Sequence, residues 1–149
     1  MKMKKLAGIL FALFVVSQVS AAEGEWLTDF AKAQAKAKQE GKMVLLEFTG
    51  SDWCAPCKAL HKQVFSKKEF LEFAKDRLVL VEVDFPIRKK LSEEQKQANE
   101  DLGGKYKVEG YPTVIVLDKD GKVVFEQGGY RGDAKGYLKN LMKGLSKKS

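Results

Sequence analysis

Three short apolar runs constrain the fold more than any other feature. "MVLLEFTG" (43–50), "RLVLVEVDF" (77–85) and "TVIVL" (113–117) have the length and β-branched content of buried strands. Helical patterns separate them. "WLTDFAKAQAKAKQEGK" reads as a helix capped by Thr28 or Asp29, with Phe30, Ala33 and Ala37 on one face and Gly41 at its end. "CAPCKALHKQVF" reads as a helix starting near Cys54, with Leu60 and Val64 on one face. "SKKEFLEFAKD" opens with a Ser66–Glu69 capping box, and "LSEEQKQANEDLGGKY" with Ser92 and Gln95, stopped by Gly103-Gly104. After "TVIVL" the four-residue cluster "DKDG" turns the chain into "KVVFEQ", a hairpin. "DAKGYLKNLMKGL" closes as a helix with Tyr137, Leu138, Leu141 and Leu145 on its apolar face. Strands divided by helices pair in parallel, whereas a hairpin is antiparallel. The expectation is an α/β fold: a mixed central sheet of about four to five strands with helices on both faces, ending in a hairpin and a helix.

The first 22 residues stand apart. Lys2, Lys4 and Lys5 precede the uncharged apolar run Leu6 to Val16, and small residues follow at Ser20-Ala21-Ala22. This is the order of a bacterial secretory signal peptide, with cleavage after Ala21 or Ala22. The run is short of the ~20 residues that span a bilayer. The expected organisation is a cleaved signal over 1–22 and one domain over 23–149, exported to the periplasm. The formal net charge of +7 then loses three lysines. The remaining lysines are scattered among glutamates with no basic stripe interleaved with aromatics, so nucleic acid is not an expected partner.

Both cysteines lie in "SDWCAPCKAL" (51–60). An exported protein can keep a disulfide, but the loop between Cys54 and Cys57 is too small to staple a domain usefully. Structural zinc takes four Cys/His ligands, and Cys54, Cys57 and His61 make three. Lys58, not His, follows Cys57, so the haem-attachment pattern is absent. A Cu(I) site using Cys54, Cys57 and His61 is the metal reading left open, since thiolates suit Cu(I). His61 by itself reads first as a helix-surface histidine.

"WCAPCK" at the end of a strand and the start of a helix, with "GYPT" before the final hairpin, resembles the active site and cis-proline loop of the thioredoxin-like superfamily. The resemblance runs from Trp26 to Leu145 and is nearest to exported bacterial members. It implies a thiol–disulfide oxidoreductase with a redox-active Cys54–Cys57 pair and no bound cofactor or metal. A thiolate is the attacking species, and a helix N-terminus favours it. Cys54 is thus the expected nucleophile and Cys57 the resolving thiol, with Pro56 fitting the first helical turn. The resemblance also implies a cis Pro112, with Trp53, Tyr111, Pro112 and Thr113 facing the substrate chain. By themselves Trp53 and Tyr111 could simply be packing aromatics. Glu47 interrupts the first long strand where the family has a buried acid that assists proton transfer. It is Glu rather than Asp, and it stands seven positions before Cys54, one more than usual. It is either that acid or a strand-face Glu that reaches solvent or pairs with a lysine. Lys58 reads as a solvated helix residue and Asp52 as a turn residue.

The expected partners are protein thiols and disulfides as substrates and a membrane or soluble thiol as electron donor, with the chain a monomer. The Trp-Cys-x-Pro-Cys-Lys pattern resembles reducing members more than strong oxidants. An oxidase or isomerase is the alternative direction, and an adaptor with an idle CxxC the alternative class.

Overall fold

The computed structural model describes residues 24–146. The segment 1–22, expected as a signal peptide, lies outside the described residues. Five strands form one sheet in the order β1-β3-β2-β4-β5. They are β1 (Trp26–Leu27), β2 (Met43–Thr49), β3 (Leu78–Asp84), β4 (Thr113–Leu117) and β5 (Val123–Gly128). β1, β3 and β2 run parallel, and β4 is antiparallel to both β2 and β5. The helices are α1 (Phe30–Glu40), α2 (Ala55–Leu60), α3 (Lys68–Lys75), α4 (Glu93–Lys105) and α5 (Ala134–Ser146). α2 continues directly into a π-helical segment, His61–Phe65.

Strand alternation divides the core in two. Leu45, Leu80, Val114 and Val116 face one way and pack on Leu60, Phe65, Phe70 and Leu141 from α2, the π segment, α3 and α5. Val44, Leu46, Phe48, Val81, Val83 and Ile115 face the other way and pack on Ala33 and Ala37 of α1 and Leu102 of α4. Glu47 is two residues from Leu45, so it points to the α2 side of the sheet.

Asp29, one of the two expected caps, accepts the Lys32 N–H at 3.0 Å and opens α1, while Trp26 and Leu27 before it form a short strand against β3. Three local expectations are corrected. Ser66 does not open a capping box on α3. Its hydroxyl bonds back to the Lys62 carbonyl at 2.9 Å and its N–H to that of His61, so the π turn uses the groups a cap would need. Gly103-Gly104 does not stop α4, which runs through both. The stop is Lys107 at φ 53°, where the Val108 N–H reaches the Gly103 carbonyl and the Lys107 N–H that of Gly104. This is a Schellman closure with lysine in the seat glycine prefers. The hairpin connection is also longer than "DKDG", since β5 begins only at Val123 and Asp118 pairs with Lys122. At α1 the expected Gly41 does close the helix, at φ 67°.

Gly104 is helical, and a Cβ there would meet no atom within 4 Å. Gly104→Ala should therefore raise unfolding stability by about 0.5–1 kcal/mol, read from urea midpoints, through lost unfolded-state entropy.

Candidate active site

The site forms at the C-terminal end of β2, where "GSDW" leads into α2. The Cys54 N–H donates to the Gly50 carbonyl at 2.8 Å, closing a tight loop. A Cβ at Gly50 would collide with the Trp53 indole, so only glycine lets that ring fold over the loop. Cys54 is the N-cap of α2, with Pro56 in the first turn. Its Sγ accepts the Cys57 N–H at 3.3 Å. Cys54 and Cys57 are joined as a disulfide, and both are buried. In the reduced protein that same N–H and the helix start face whatever charge Cys54 carries.

The second wall is the loop before β4. The Tyr111–Pro112 bond is cis. The Pro112 carbonyl accepts the Gly129 N–H at 2.7 Å, and the Thr113 hydroxyl donates to the Gly110 carbonyl at 2.7 Å. Tyr111 stacks on Phe85, rings 5.1 Å apart and 25° from parallel, and meets Trp53 edge-on at 6.0 Å. The Trp53 Nε1–H donates to the Phe85 carbonyl at 2.8 Å. Trp53 is therefore both a packing residue and a surface, still 43% exposed. Pro112 and Thr113 are buried.

Two carboxylates missed as site residues tie β3 to this loop. Buried Asp84 accepts the Ser51 N–H at 2.9 Å and its hydroxyl at 2.6 Å. Asp52 accepts the backbone N–H groups of Ile87, Arg88 and Lys89 at 2.7–2.9 Å. Those backbone bonds, from Ile87 and Lys89 above all, pull its carboxyl down to about 2. Asp52 is thus a clamp between two loops. Lys58 is exposed and spans back to the Asp52 carbonyl at 3.1 Å.

Glu47 is 1% exposed. Together with Cys57 and His61 it lines a cleft of about 280 Å³. Burial pushes its carboxyl above the ordinary range; His61 pulls it back, and Glu82 and Asp84 push it further up. Of the two sequence readings, the solvent-reaching Glu is excluded, and the ionic neighbour is a histidine rather than a lysine. His61 Nδ1 is 3.9 Å from Glu47 Oε2. Among the described residues, no group of three or more His, Cys, Asp or Glu side chains is arranged to hold a metal ion.

A family model described as the thioredoxin-like domain matches residues 30–143. The chain belongs to the thioredoxin-like family. It is 37% identical over 127 residues to the disulfide bond reductase DsbH of Chlamydia pneumoniae, covering 85% of this chain and 76% of that protein. It is 29% identical over 135 residues to the thioredoxin-related protein DsbJ of the same organism, where it spans 38% of the longer chain. Among solved structures, a DsbH oxidoreductase superposes with a TM-score of 0.76 at 33% identity, covering 97% of this chain and 95% of that one. A thioredoxin from Thermus thermophilus, at 22% identity and a TM-score of 0.64, shares the fold. With its CxxC pair, this thioredoxin-like protein is a thiol–disulfide oxidoreductase.

A carboxyl whose native pKa lies above its unfolded value of about 4.3 holds its proton more tightly when folded, so stability falls as pH rises above that value. Glu47→Gln removes this penalty. Urea midpoints of the oxidised protein should differ little between variant and parent near pH 4, and the variant should be the more stable at about pH 8. Equal midpoints at both pH values would mean that Glu47 ionises without cost.

Proposed function

We propose that this chain is an exported reductase of protein disulfides, with Cys54 as nucleophile and Cys57 as resolving thiol. The observation that carries the reading is the Cys57 N–H bonded to Cys54 Sγ at the start of α2. A donor already aimed at that sulfur favours Cys54 as the thiolate, and a low thiol pKa makes the nucleophile. Cys57, one turn into the helix, is 1% exposed against 4% for Cys54, so of the two buried sulfurs it is the more shielded.

The steps balance as follows. Cys54 thiolate attacks one sulfur of a substrate disulfide; a Cys54–substrate bond forms, and the other substrate sulfur leaves as a thiolate and is protonated. Cys57 then gives up its thiol proton and attacks Cys54 Sγ. The mixed disulfide breaks, the second substrate sulfur leaves with its electron pair, and the Cys54–Cys57 disulfide remains. Two electrons have passed to the substrate. A membrane or soluble thiol donor must restore the dithiol. Glu47, in the cleft that Cys57 also lines, is the base for the Cys57 proton: a carboxyl raised by burial is poised nearer neutral pH. Trp53, Tyr111, Pro112 and Thr113 form the wall along which the substrate chain lies. The Lys-rich start, apolar run and small residues of 1–22 support export as a cleaved signal, with the domain over 23–149.

The reducing direction is read from chemistry rather than geometry. It rests on the Trp-Cys-x-Pro-Cys-Lys pattern and on the disulfide bond reductase among the relatives. Equilibration with glutathione should give a potential nearer the ~−270 mV of thioredoxin than the ~−120 mV of DsbA. A value near the latter would make it an oxidase. The full-length chain carrying Cys57→Ala, expressed in a bacterial host, should appear in the periplasm starting at Ala22 or Glu23 and hold client proteins through Cys54. A cytoplasmic, full-length product, or no mixed disulfides, would contradict export or catalysis respectively.

A further inference from the structure

His61 is the chain's one histidine, and the chemistry above does not use it. It stands four positions after Cys57, so the two side chains lie on the same face of the helix, one turn apart. That face looks onto Glu47. The ring is held by Trp26 at 5.8 Å and Phe65 at 6.4 Å between centroids. Its side chain is 47% exposed, whereas that of Glu47 is 2% exposed. One end of the pair is therefore sealed and the other wet.

A buried base poses a problem of turnover. Glu47 can take the Cys57 proton only when its carboxyl is ionised, so a proton it already holds must first leave for water, yet it has almost no surface of its own. We propose that His61 is the port through which the proton on Glu47 exchanges with solvent, so that it sets the pace of the resolving step. This rests on the reading of Glu47 as the base for Cys57. The path is short. A proton on the Glu47 carboxyl first moves to His61 Nδ1, and the opposite ring nitrogen releases one to water. The thiol proton of Cys57 then passes to the emptied Glu47 carboxylate while Cys57 Sγ bonds Cys54 Sγ and expels the substrate sulfur. The 3.9 Å separation exceeds a hydrogen bond of about 2.7–3.2 Å, so transfer takes a small swing of the half-exposed ring or one bridging water. The cleft of about 280 Å³ has room for such a water.

Acidic groups crowd the sheet side of the His61 ring. From β2 comes Glu47, and from β3 come Glu82, level with Glu47 in the ladder, and Asp84. Lys58 and Lys62 on its own helical stretch line the same cleft, Lys89 lies 3.8 Å from Asp84, and Tyr137 of α5 senses the charge of Glu47. Three carboxyls cluster on the sheet side of the ring, and burial raises two of them, Glu47 and Glu82. An imidazole can accept a proton at one ring nitrogen and release one from the other.

The test uses reduced protein and 5,5′-dithiobis(2-nitrobenzoate) in stopped flow. The first nitrothiobenzoate released reports attack by Cys54, and the second reports resolution by Cys57. In His61→Ala the first release should stay within about twofold of the parent, and the second should slow about tenfold, the low end for a proton-transfer group that water can partly replace. His61→Gln should be as slow, since it keeps a polar side chain but cannot carry the proton. Added imidazole should restore the second release in His61→Ala, and the pH profile of that release should differ from the parent's. A second release as fast as the parent's overturns the proposal, as does a slow one that imidazole does not restore and whose pH profile is unchanged. Glu47→Gln separates the two readings. If it slows resolution while His61→Ala does not, the port fails and Glu47 stands. If Glu47→Gln leaves resolution unchanged, both fail.

Discussion

Strand β2 hydrogen-bonds in parallel to β3 on one side and antiparallel to β4 on the other, and the site depends on that register. Thr49 at the end of β2 is level with Asp84 at the end of β3, and Phe48 is level with Thr113 at the start of β4. A parallel neighbour ends where β2 ends; an antiparallel neighbour begins there. Three chain segments far apart in sequence therefore emerge at one edge: the CxxC turn, the Asp84-Phe85 segment and the cis-Pro112 loop. The Trp53, Phe85 and Tyr111 rings then lock them together. A slip of one residue in β2 would turn Glu47 to the opposite face of the sheet and dismantle the site.

The same register explains why a carboxylate is buried under a redox helix. Glu47 occupies a position that in a purely structural strand would carry Leu or Val, like Leu45 two residues earlier. Burial of an acid costs stability unless it is neutral or paired. Here it stands beside Glu82 and within ionic reach of His61, in a cleft that Cys57 also lines. A costly arrangement placed next to a reactive sulfur is the form functional sites take.

Much of this could be read from the chain by itself. The Leu-Val alternation of β3, the apolar run of β2 and the hairpin after Thr113 carry enough pattern to set the layers, and Gly41 and Asp29 mark the ends of α1. What escaped was set by contacts that no local pattern encodes. Asp52 looks like a turn residue because its partners are backbone N–H groups some thirty-five positions away. Ser66 and Glu69 have capping-box spacing, but the π turn before them takes the serine first. Gly103-Gly104 has the composition of a stop, yet the Tyr106–Val108 geometry carries the helix past it. Glu47 left two readings open, because strand periodicity reports which face a side chain takes and not how deeply that face is covered. Its neighbour His61 comes from another element altogether.

The central claim is that the start of α2 holds Cys54 ready as a thiolate while Cys57 stays a shielded thiol. The alkylation rate of each cysteine with iodoacetamide, followed against pH in the reduced protein, tests this most directly. The account predicts that Cys54 reacts first, with a pKa well below the ~8.5 of a free cysteine, and that Cys57 reacts slowly until Cys54 is blocked or the protein is unfolded. A Cys54 pKa at or above that value, or a faster reaction at Cys57, would contradict it.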